Sequence, residues 1–187
     1  MMKRLMDVFL GLMLGLILLL PGVFMALAVR LTSKGPALYW SDRVGRDQRL
    51  FKMPKFRSMQ VGTPELATHL LESPAAHLTR LGPWLRKTSV DELPQLWSII
   101  KGDMSFVGPR PALFNQHDLI DLRQERGIDR LIPGLTGWAQ VNGRDELPLL
   151  QKVELELYYL KHQSLAFDAK ILWITLIKVL RRDSVSH

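Results

Sequence analysis

The sequence predicts an α+β protein, a mainly helical single domain with a small β-hairpin or sheet. An uncharged apolar stretch close to the N-terminus predicts a membrane helix broken at Pro21, and later apolar residues at helical spacing predict amphipathic interfacial helices. The length of 187 residues suffices for one domain with a core. We therefore divide the chain into residues 1–34, the membrane helix with its basic flanks, and residues 35–187, the folded domain with a C-terminal amphipathic helix.

The composition excludes several kinds of site and points to an acidic partner. There are no cysteines, so disulfide scaffolds, thiolate zinc sites and cysteine nucleophiles are absent. The formal net charge is +7, which favours phosphate, nucleic acid or anionic lipid as a ligand.

The apolar stretch of residues 8–29 contains no charged side chain. As a straight helix it would measure roughly 33 Å, about one hydrocarbon core. A secretory signal peptide has a shorter apolar region and a small-residue cleavage site, which is not found before Arg30. The stretch therefore predicts a membrane anchor.

A helix that enters one leaflet and returns fits this stretch better than a straight crossing. Proline and glycine interrupt it at Pro21 and Gly22, where proline removes a helix hydrogen bond. Basic residues flank both ends, and positive charge prefers the cytoplasmic side. These flanking residues are Lys3, Arg4, Arg30 and Lys34. A bent helix can also cross a bilayer, so the spanning alternative stays open.

Two further patterns each permit two interpretations. Gly11 and Gly15 form a small-residue face, which serves either simple helix packing, the favoured interpretation, or a homodimer. From Asp168 onward, apolar residues recur at helical spacing beside basic ones. That helix lies either at a lipid headgroup boundary or against the core.

The middle of the chain predicts a small sheet and several short helices. Strands are expected at residues 37–40, 50–52 and 55–57, with a turn near Gly45. Helices are expected from Leu93 to Gly102, over residues 118–126 and over residues 149–161. Residues 64–80 are expected to form a helix or a loop, and residues 133–144 a loop.

Adjacent carboxylates in the stretch 86–96 give the strongest chemical signal. Acids at a helix start are often caps, and Ser89 to Glu92 matches a capping box, while Asp91 is an equally natural N-cap. The alternative is a functional role for the pair, which is favoured by Arg86 and Lys87 shortly before it in the sequence. Two cations should keep Asp91 ionised, as a carboxylate nucleophile or a magnesium ligand requires.

Three other stretches offer cations for phosphate. Prolines on both sides of Arg110 restrict its backbone. This predicts either a guanidinium held in a fixed direction for phosphate binding or a rigid turn with a solvated arginine. The glycine-rich stretch 133–144 ends at Arg144 and either lines a nucleotide or sugar pocket or is a surface loop around Trp138. Lys55 and Arg57 lie on one strand face, at a phosphate site or a solvated edge.

Together these stretches resemble the small monotopic phosphoglycosyl transferases, the bacterial sugar transferases that act on polyprenyl phosphates. The resemblance extends from Lys3 to about Leu180. It rests on the proline-containing membrane segment and on four motifs: Lys55-Phe56-Arg57-Ser58-Met59, Asp91-Glu92-Leu93-Pro94-Gln95, Gly108-Pro109-Arg110-Pro111 and Pro133-Gly134-Leu135-Thr136-Gly137. The family often has serine before the membrane-segment proline, where this chain has Leu20.

The resemblance implies transfer of a sugar 1-phosphate from a UDP-sugar to undecaprenyl phosphate, with release of UMP. In the family the aspartate of the Asp-Glu pair attacks phosphorus and forms a covalent phosphosugar intermediate in a magnesium-dependent cycle. Carried over, Asp91 is nucleophile and Mg²⁺ ligand, and Glu92 positions or deprotonates the lipid phosphate. The basic residues implied at the substrates are Lys55, Arg57, Arg86, Arg110 and Arg144.

The resemblance also implies a place and a role in the cell. It places the protein at the cytoplasmic face of the bacterial inner membrane, at the first membrane step of glycan or glycoprotein assembly. Nucleic acid is not expected as a partner, and a homodimer is left open. The alternative from another class is a membrane-anchored, non-catalytic protein that binds anionic lipid or nucleic acid; a direct transfer without a covalent intermediate is the enzymatic alternative.

Overall fold

A bent helix pair, a β-hairpin, a run of short helices and two long helices follow one another in the computed structural model, which describes residues 2–66, 73–143 and 147–181. The helices are α1 (Met2–Ile17), α2 (Leu19–Thr32), α3 (Gly82–Thr88), α4 (Gln95–Lys101), α5 (His117–Glu125), α6 (Trp138–Asn142), α7 (Leu149–His162) and α8 (Leu165–Arg181). The strands are β1 (Leu38–Val44), β2 (Leu50–Phe56), β3 (Ser105–Val107), β4 (Ala112–Leu113) and β5 (Gly134–Thr136). The predicted mainly helical fold with a small sheet is confirmed.

The predicted bend divides the apolar stretch into α1 and α2, which meet at 63°. The helix is interrupted at Leu18, and Pro21 lies in the first turn of α2. Proline collides with the carbonyl one turn before it, so the break falls upstream, and a first-turn proline loses no helical hydrogen bond. Within the described residues no single helix has the length and hydropathy of a membrane span, whereas α1 and α2 together do.

Both ends of the bent pair are attached to the rest of the protein. Near the start of α1, the Lys3 ammonium contacts the Asp168 carboxylate at 2.5 Å and donates to the Val107 carbonyl at 2.9 Å. Near the end of α2, Val29 is buried against Phe56 and Leu85. The pair therefore leaves the domain and returns to it.

The small-residue face of α1 packs against α4. A Cβ atom on Gly11 would lie 3.1 Å from Cγ1 of Ile100, so only glycine permits this approach without displacement. The Arg4 guanidinium donates to the carbonyls of Ile99 (2.5 Å) and Ile100 (2.6 Å), near the C-terminal end of α4. Helix packing, the favoured interpretation of the Gly11–Gly15 pattern, is how this face is used.

The hairpin β1–β2 forms most of a three-stranded sheet. The strand order is β2–β1–β4, and all pairs are antiparallel. The two short strands predicted at 50–52 and 55–57 are one strand in the structure, because β2 continues through Pro54. An edge strand tolerates proline, whose missing N–H can face away from the ladder. Since β2 is an edge strand, Lys55 remains in register, opposite Tyr39.

The prediction of a loop over residues 133–144 is wrong. Residues 134–136 form β5, which pairs in parallel with β3, and α6 follows at once. The backbones approach so closely that a Cβ on Gly134 would lie 2.1 Å from the amide nitrogen of Gly108. A strand of three residues and a helix of five are too short to show a hydrophobic period.

The remaining elements mostly agree with the sequence. Gly102, at a φ of 105°, ends α4, and the helices predicted at 118–126 and 149–161 are α5 and α7. Of residues 64–80, a 3₁₀ turn covers Pro74–His77, and residues 67–72 lie outside the described residues.

The last helix, α8, has two apolar faces rather than one. Ile171 is completely buried in the core, whereas Trp173 and Leu176 are exposed. The core-facing interpretation of the pattern after Asp168 is therefore confirmed for one face, and a location of the exposed apolar face at a lipid headgroup boundary stays a prediction.

Candidate active site

The two adjacent carboxylates lie on a 3₁₀ turn, Val90–Glu92, between α3 and α4. Ser89 adopts a left-handed conformation (φ 55°) that ends α3 and turns the chain. Pro94 precedes α4, and no side chain caps that helix. The capping interpretation of Ser89, Asp91 and Glu92 is therefore wrong. Instead, this sharp turn directs both acids toward a cavity.

Glu92 is held between two cations. Its Oε1 accepts a hydrogen bond from the Lys55 ammonium at 2.9 Å and another from the Arg110 guanidinium at 3.1 Å. Burial alone would raise the pKa of Glu92, but the two charges and their hydrogen bonds outweigh burial and hold that pKa well below its usual range. Glu92 is consequently a fixed anion and a weak base.

Asp91 has the opposite electrostatic character. Its side chain is 6% exposed, and no hydrogen bond to its carboxylate is found within the described part of the chain. Burial raises the pKa of Asp91, as does the charge of Glu92, against the opposing charges of Lys55, Arg86 and Arg110. Of the two cations predicted to keep Asp91 ionised, Arg86 acts on it, whereas Lys87 is exposed and does not line the cavity. Burial outweighs the effect of the cations that are present, so the prediction that they lower the pKa of Asp91 is wrong. With respect to the described residues, Asp91 is therefore a carboxylate with unused lone pairs.

The remaining predicted phosphate-binding residues, Arg57, Arg86 and Arg144, do not all lie at the carboxylates. Arg86 projects from α3 and donates to Ser58 Oγ at 3.2 Å, and burial lowers its pKa. Arg57 lines the same cavity, but its Nε donates to the Pro36 carbonyl at 2.8 Å. Arg144 lies outside the described residues. Lys55, Arg86 and Arg110 thus act together on the carboxylates.

The cavity beside the carboxylates has a volume of about 780 Å³, and its lining combines two kinds of residue. Cationic and acidic residues come from β2, α3 and the turns that carry Asp91, Glu92 and Arg110. Apolar residues come from α1, the break after it and α8, namely Leu14, Leu18, Leu172 and Val179. Such a cavity fits a ligand with an anionic head and an apolar tail.

Several charged residues on the cavity wall are not anticipated by the motifs, among them Arg43, Arg123 and Glu156, whereas Gln140 belongs to the stretch 133–144, whose predicted roles include lining a pocket. Arg123 and Glu156 are buried and form an ion pair between α5 and α7. A weak signal is present in the sequence, since Arg123 follows Leu119 by four residues and Glu156 follows Val153 by three. Each charge therefore falls on the buried face of its helix.

We predict opposite effects on stability for amide substitutions at the two carboxylates. The folded-state pKa of Asp91 lies above its unfolded value, so its ionised form destabilises the fold at neutral pH. Asp91→Asn mimics the protonated acid and should raise Tm by about 2–4 °C for each kcal/mol gained. The folded-state pKa of Glu92 is lowered, so Glu92→Gln should lower Tm.

Thermal unfolding in detergent at neutral pH and near pH 4, about the ordinary pKa of a carboxyl, measures both effects. The advantage of Asp91→Asn should shrink as the pH falls, because wild-type Asp91 then takes up its proton. The stability contributed by ionised Glu92 is present above its unfolded pKa and is lost only as the pH falls toward its lowered folded-state pKa, so Glu92→Gln should still be less stable than the wild type near pH 4. Shifts of the same sign in both variants at neutral pH would contradict the assignment.

Comparison with known proteins gives a consistent set of relatives. A family model described as bacterial sugar transferase matches residues 1–182. The chain is 38% identical, over 89% of its length, to a UDP-galactose-lipid carrier transferase of Erwinia amylovora. It is 36% identical, over 95%, to a UDP-glucose:undecaprenyl-phosphate glucose-1-phosphate transferase of Escherichia coli K12, and 37% identical, over 88%, to the uncharacterized sugar transferase EpsL of Bacillus subtilis. These matches span 38%, 40% and 80% of the respective relatives.

Proposed function

The chain belongs to the bacterial sugar transferase family, and from that membership and its cavity we propose that it moves a sugar 1-phosphate from a UDP-sugar to undecaprenyl phosphate with release of UMP. The observation that carries the proposal is the buried Asp91 carboxylate, without a hydrogen bond from the described residues, beside three cations. A non-catalytic protein that binds anionic lipid or nucleic acid needs the cations but gives no reason to bury a carboxylate among them.

The proposed reaction has two displacements at one phosphorus atom. In the first, an Asp91 oxygen bonds to the sugar-bearing phosphorus, and the bond from that phosphorus to the bridging oxygen breaks, so UMP leaves with the electron pair. In the second, an oxygen of the acceptor phosphate bonds to the same phosphorus, and the bond to Asp91 breaks. The carboxylate is regenerated, and the product is a polyprenyl diphosphate sugar.

The contacts of Glu92 support a positioning role. A carboxylate whose pKa is lowered by Lys55 and Arg110 is a poor proton acceptor. It instead holds both cations at the place where the phosphates of donor and acceptor would lie. Of the two roles predicted for Glu92, positioning is the one we propose.

Magnesium is the proposed cofactor, and Asp91 is the residue that we propose as its ligand. Within the described residues, no group of three or more His, Asp or Glu side chains converges on one point. Mg²⁺ is commonly held by one or two carboxylates together with substrate phosphates and water. The carboxylate of Asp91 has lone pairs available for this purpose. When bound, the ion neutralises charge on the diphosphate.

We propose that the bent pair enters one leaflet of the bacterial inner membrane from the cytoplasmic face. The attachment of its two ends to one folded body supports a re-entrant segment over a crossing. Large apolar side chains of α1 and α2 face outward, including Leu16, Leu20, Phe24 and Leu31. The apolar part of the cavity lining, which includes Leu14 and Leu172, suits the isoprenoid chain of the acceptor.

The test of the reaction is UMP release by the purified full chain in nanodiscs that contain undecaprenyl phosphate. A panel of UDP-sugars with Mg²⁺ is supplied, and the lipid product is identified by mass spectrometry. At least one UDP-sugar should yield UMP and a polyprenyl diphosphate sugar in equal amounts, and EDTA should stop the reaction. Absence of UMP with every UDP-sugar would refute the function, and turnover in EDTA would refute the cofactor.

A further inference from the structure

Two arginines outside the predicted site bind the backbone that carries Arg110. The Arg43 guanidinium of β1 donates to the Pro111 carbonyl at 3.1 Å, and the Arg123 guanidinium of α5 donates to the Arg110 carbonyl at 2.9 Å. Two consecutive carbonyls are thus each bound by a guanidinium from a different element. We call Arg43 and Arg123 the Arg110 clamp.

Arg123 is itself rigidly held. Its Nε donates to Glu156 Oε2 at 2.7 Å, and its Nη2 contacts Glu156 Oε1 at 2.5 Å, a bidentate pair. The pair is almost completely buried, with Arg123 8% and Glu156 2% exposed. Burying such a pair costs desolvation that apolar residues of similar volume would avoid. Stability alone is therefore a weak reason for this pair.

The contacts continue from the clamp to the carboxylates. Arg110 donates through Nη2 to Glu92 Oε1 at 3.1 Å, and Glu92 adjoins Asp91. Prolines 109 and 111 restrict the backbone on both sides of Arg110. The two hydrogen bonds of the clamp further fix the backbone from which the Arg110 side chain projects.

We propose that Arg43 and Arg123, the latter held by Glu156, are positioning residues that place the Arg110 guanidinium on Glu92 for phosphate binding. The proposal rests on the proposed transferase function. Neither arginine has to touch the substrate for this role, because each acts through the backbone of residues 110–111.

The first test compares Arg123→Lys with Arg126→Lys. Lysine at 123 keeps the charge beside Glu156 but lacks the fork that binds the carboxylate and the Arg110 carbonyl together. Arg126 forms a matched control, since it pairs with Glu154 of α7 at 2.9 Å and is exposed. We expect kcat/KM for the UDP-sugar to fall on the order of tenfold in Arg123→Lys and to stay within about twofold in the control.

A double-mutant cycle distinguishes positioning from a merely structural role. In an Arg110→Ala background, Arg123→Lys should cause no further loss of kcat/KM, because the side chain on which it acts is gone. A structural role predicts the same loss in both backgrounds. Equal losses would overturn the proposal.

A crystal or cryo-EM structure of Arg123→Lys gives a readout that needs no activity. The Arg110 guanidinium should be displaced from Glu92 while the helices stay in place. If the wild type releases no UMP, the proposed function fails, but this structure still decides the placement. Should Arg123→Lys not fold, Arg43→Lys and Glu156→Gln are used in the same measurements. An unchanged Arg110–Glu92 contact in the folded variants would overturn the proposal.

Discussion

Asp91→Asn should reduce the rate of UMP release by about 10³-fold or more while the protein remains folded. The amide has the shape of the carboxylate but lacks the anionic oxygen that would bond to phosphorus. Because the side chain is buried with a raised pKa, the uncharged amide is compatible with the fold. Loss of turnover together with retained or increased stability would separate a chemical role of Asp91 from a structural one.

The covalent step is tested by intact-protein mass spectrometry with the UDP-sugar and no acceptor. The wild type should gain the mass of one sugar phosphate, localised by peptide mapping to Asp91, and Asp91→Asn should gain none. Asp103→Asn is the matched control, since Asp103 pairs with exposed Lys101 outside the cavity and should keep full activity. Turnover retained in Asp91→Asn would remove this residue from the mechanism, and wild-type turnover without an adduct would favour direct transfer.

Arginine at two outward-facing positions of the bent pair should prevent membrane binding. Leu20 and Phe24 are 69% and 70% exposed, and neither is among the buried core residues. Each arginine in the centre of a bilayer costs about 2.5–3.5 kcal/mol on insertion scales. Leu20→Arg with Phe24→Arg should therefore reduce partitioning into vesicles of phosphatidylethanolamine and phosphatidylglycerol at least about 100-fold.

Vesicle flotation measures this partitioning, and circular dichroism verifies the helical content. Leu50→Arg serves as the control, because Leu50 is 63% exposed and lies at the start of β2, opposite Val44, whereas α2 packs against Phe56 at the other end of that strand. The control should float with the vesicles as the wild type does. Flotation of the double variant at the wild-type level would show that the apolar surface of α1 and α2 is not the membrane anchor.

The bend shows how far local chemistry can be predicted. Pro21 and Gly22 predict that the apolar helix breaks, and it does, but the break lies at Leu18. The steric effect of proline acts on the preceding turn, so the position of the residue and that of the break differ. Gly102 predicts the end of α4 more directly, because its own left-handed conformation ends the helix at the expected position.

The carboxylate pair shows where local patterns mislead. Ser89 to Glu92 has the spacing of a capping box, yet Ser89 is left-handed and neither acid caps α4. Distant residues decide the outcome, because Lys55 and Arg110 draw Glu92 into the cavity. The Arg123–Glu156 pair joins residues 33 positions apart, so no local motif reveals it. Tertiary contacts of this kind are outside the reach of sequence spacing.

The ion pair between Lys3 and Asp168 has a consequence for biosynthesis, since it joins residues 165 positions apart. At about 5–20 residues per second, a ribosome makes Asp168 roughly ten seconds or more after Lys3. The first turn of α1 is thus made long before Asp168, while α4, against which α1 also packs, is made in between. Synthesis of α8 is therefore the step that allows the Lys3–Asp168 contact to form.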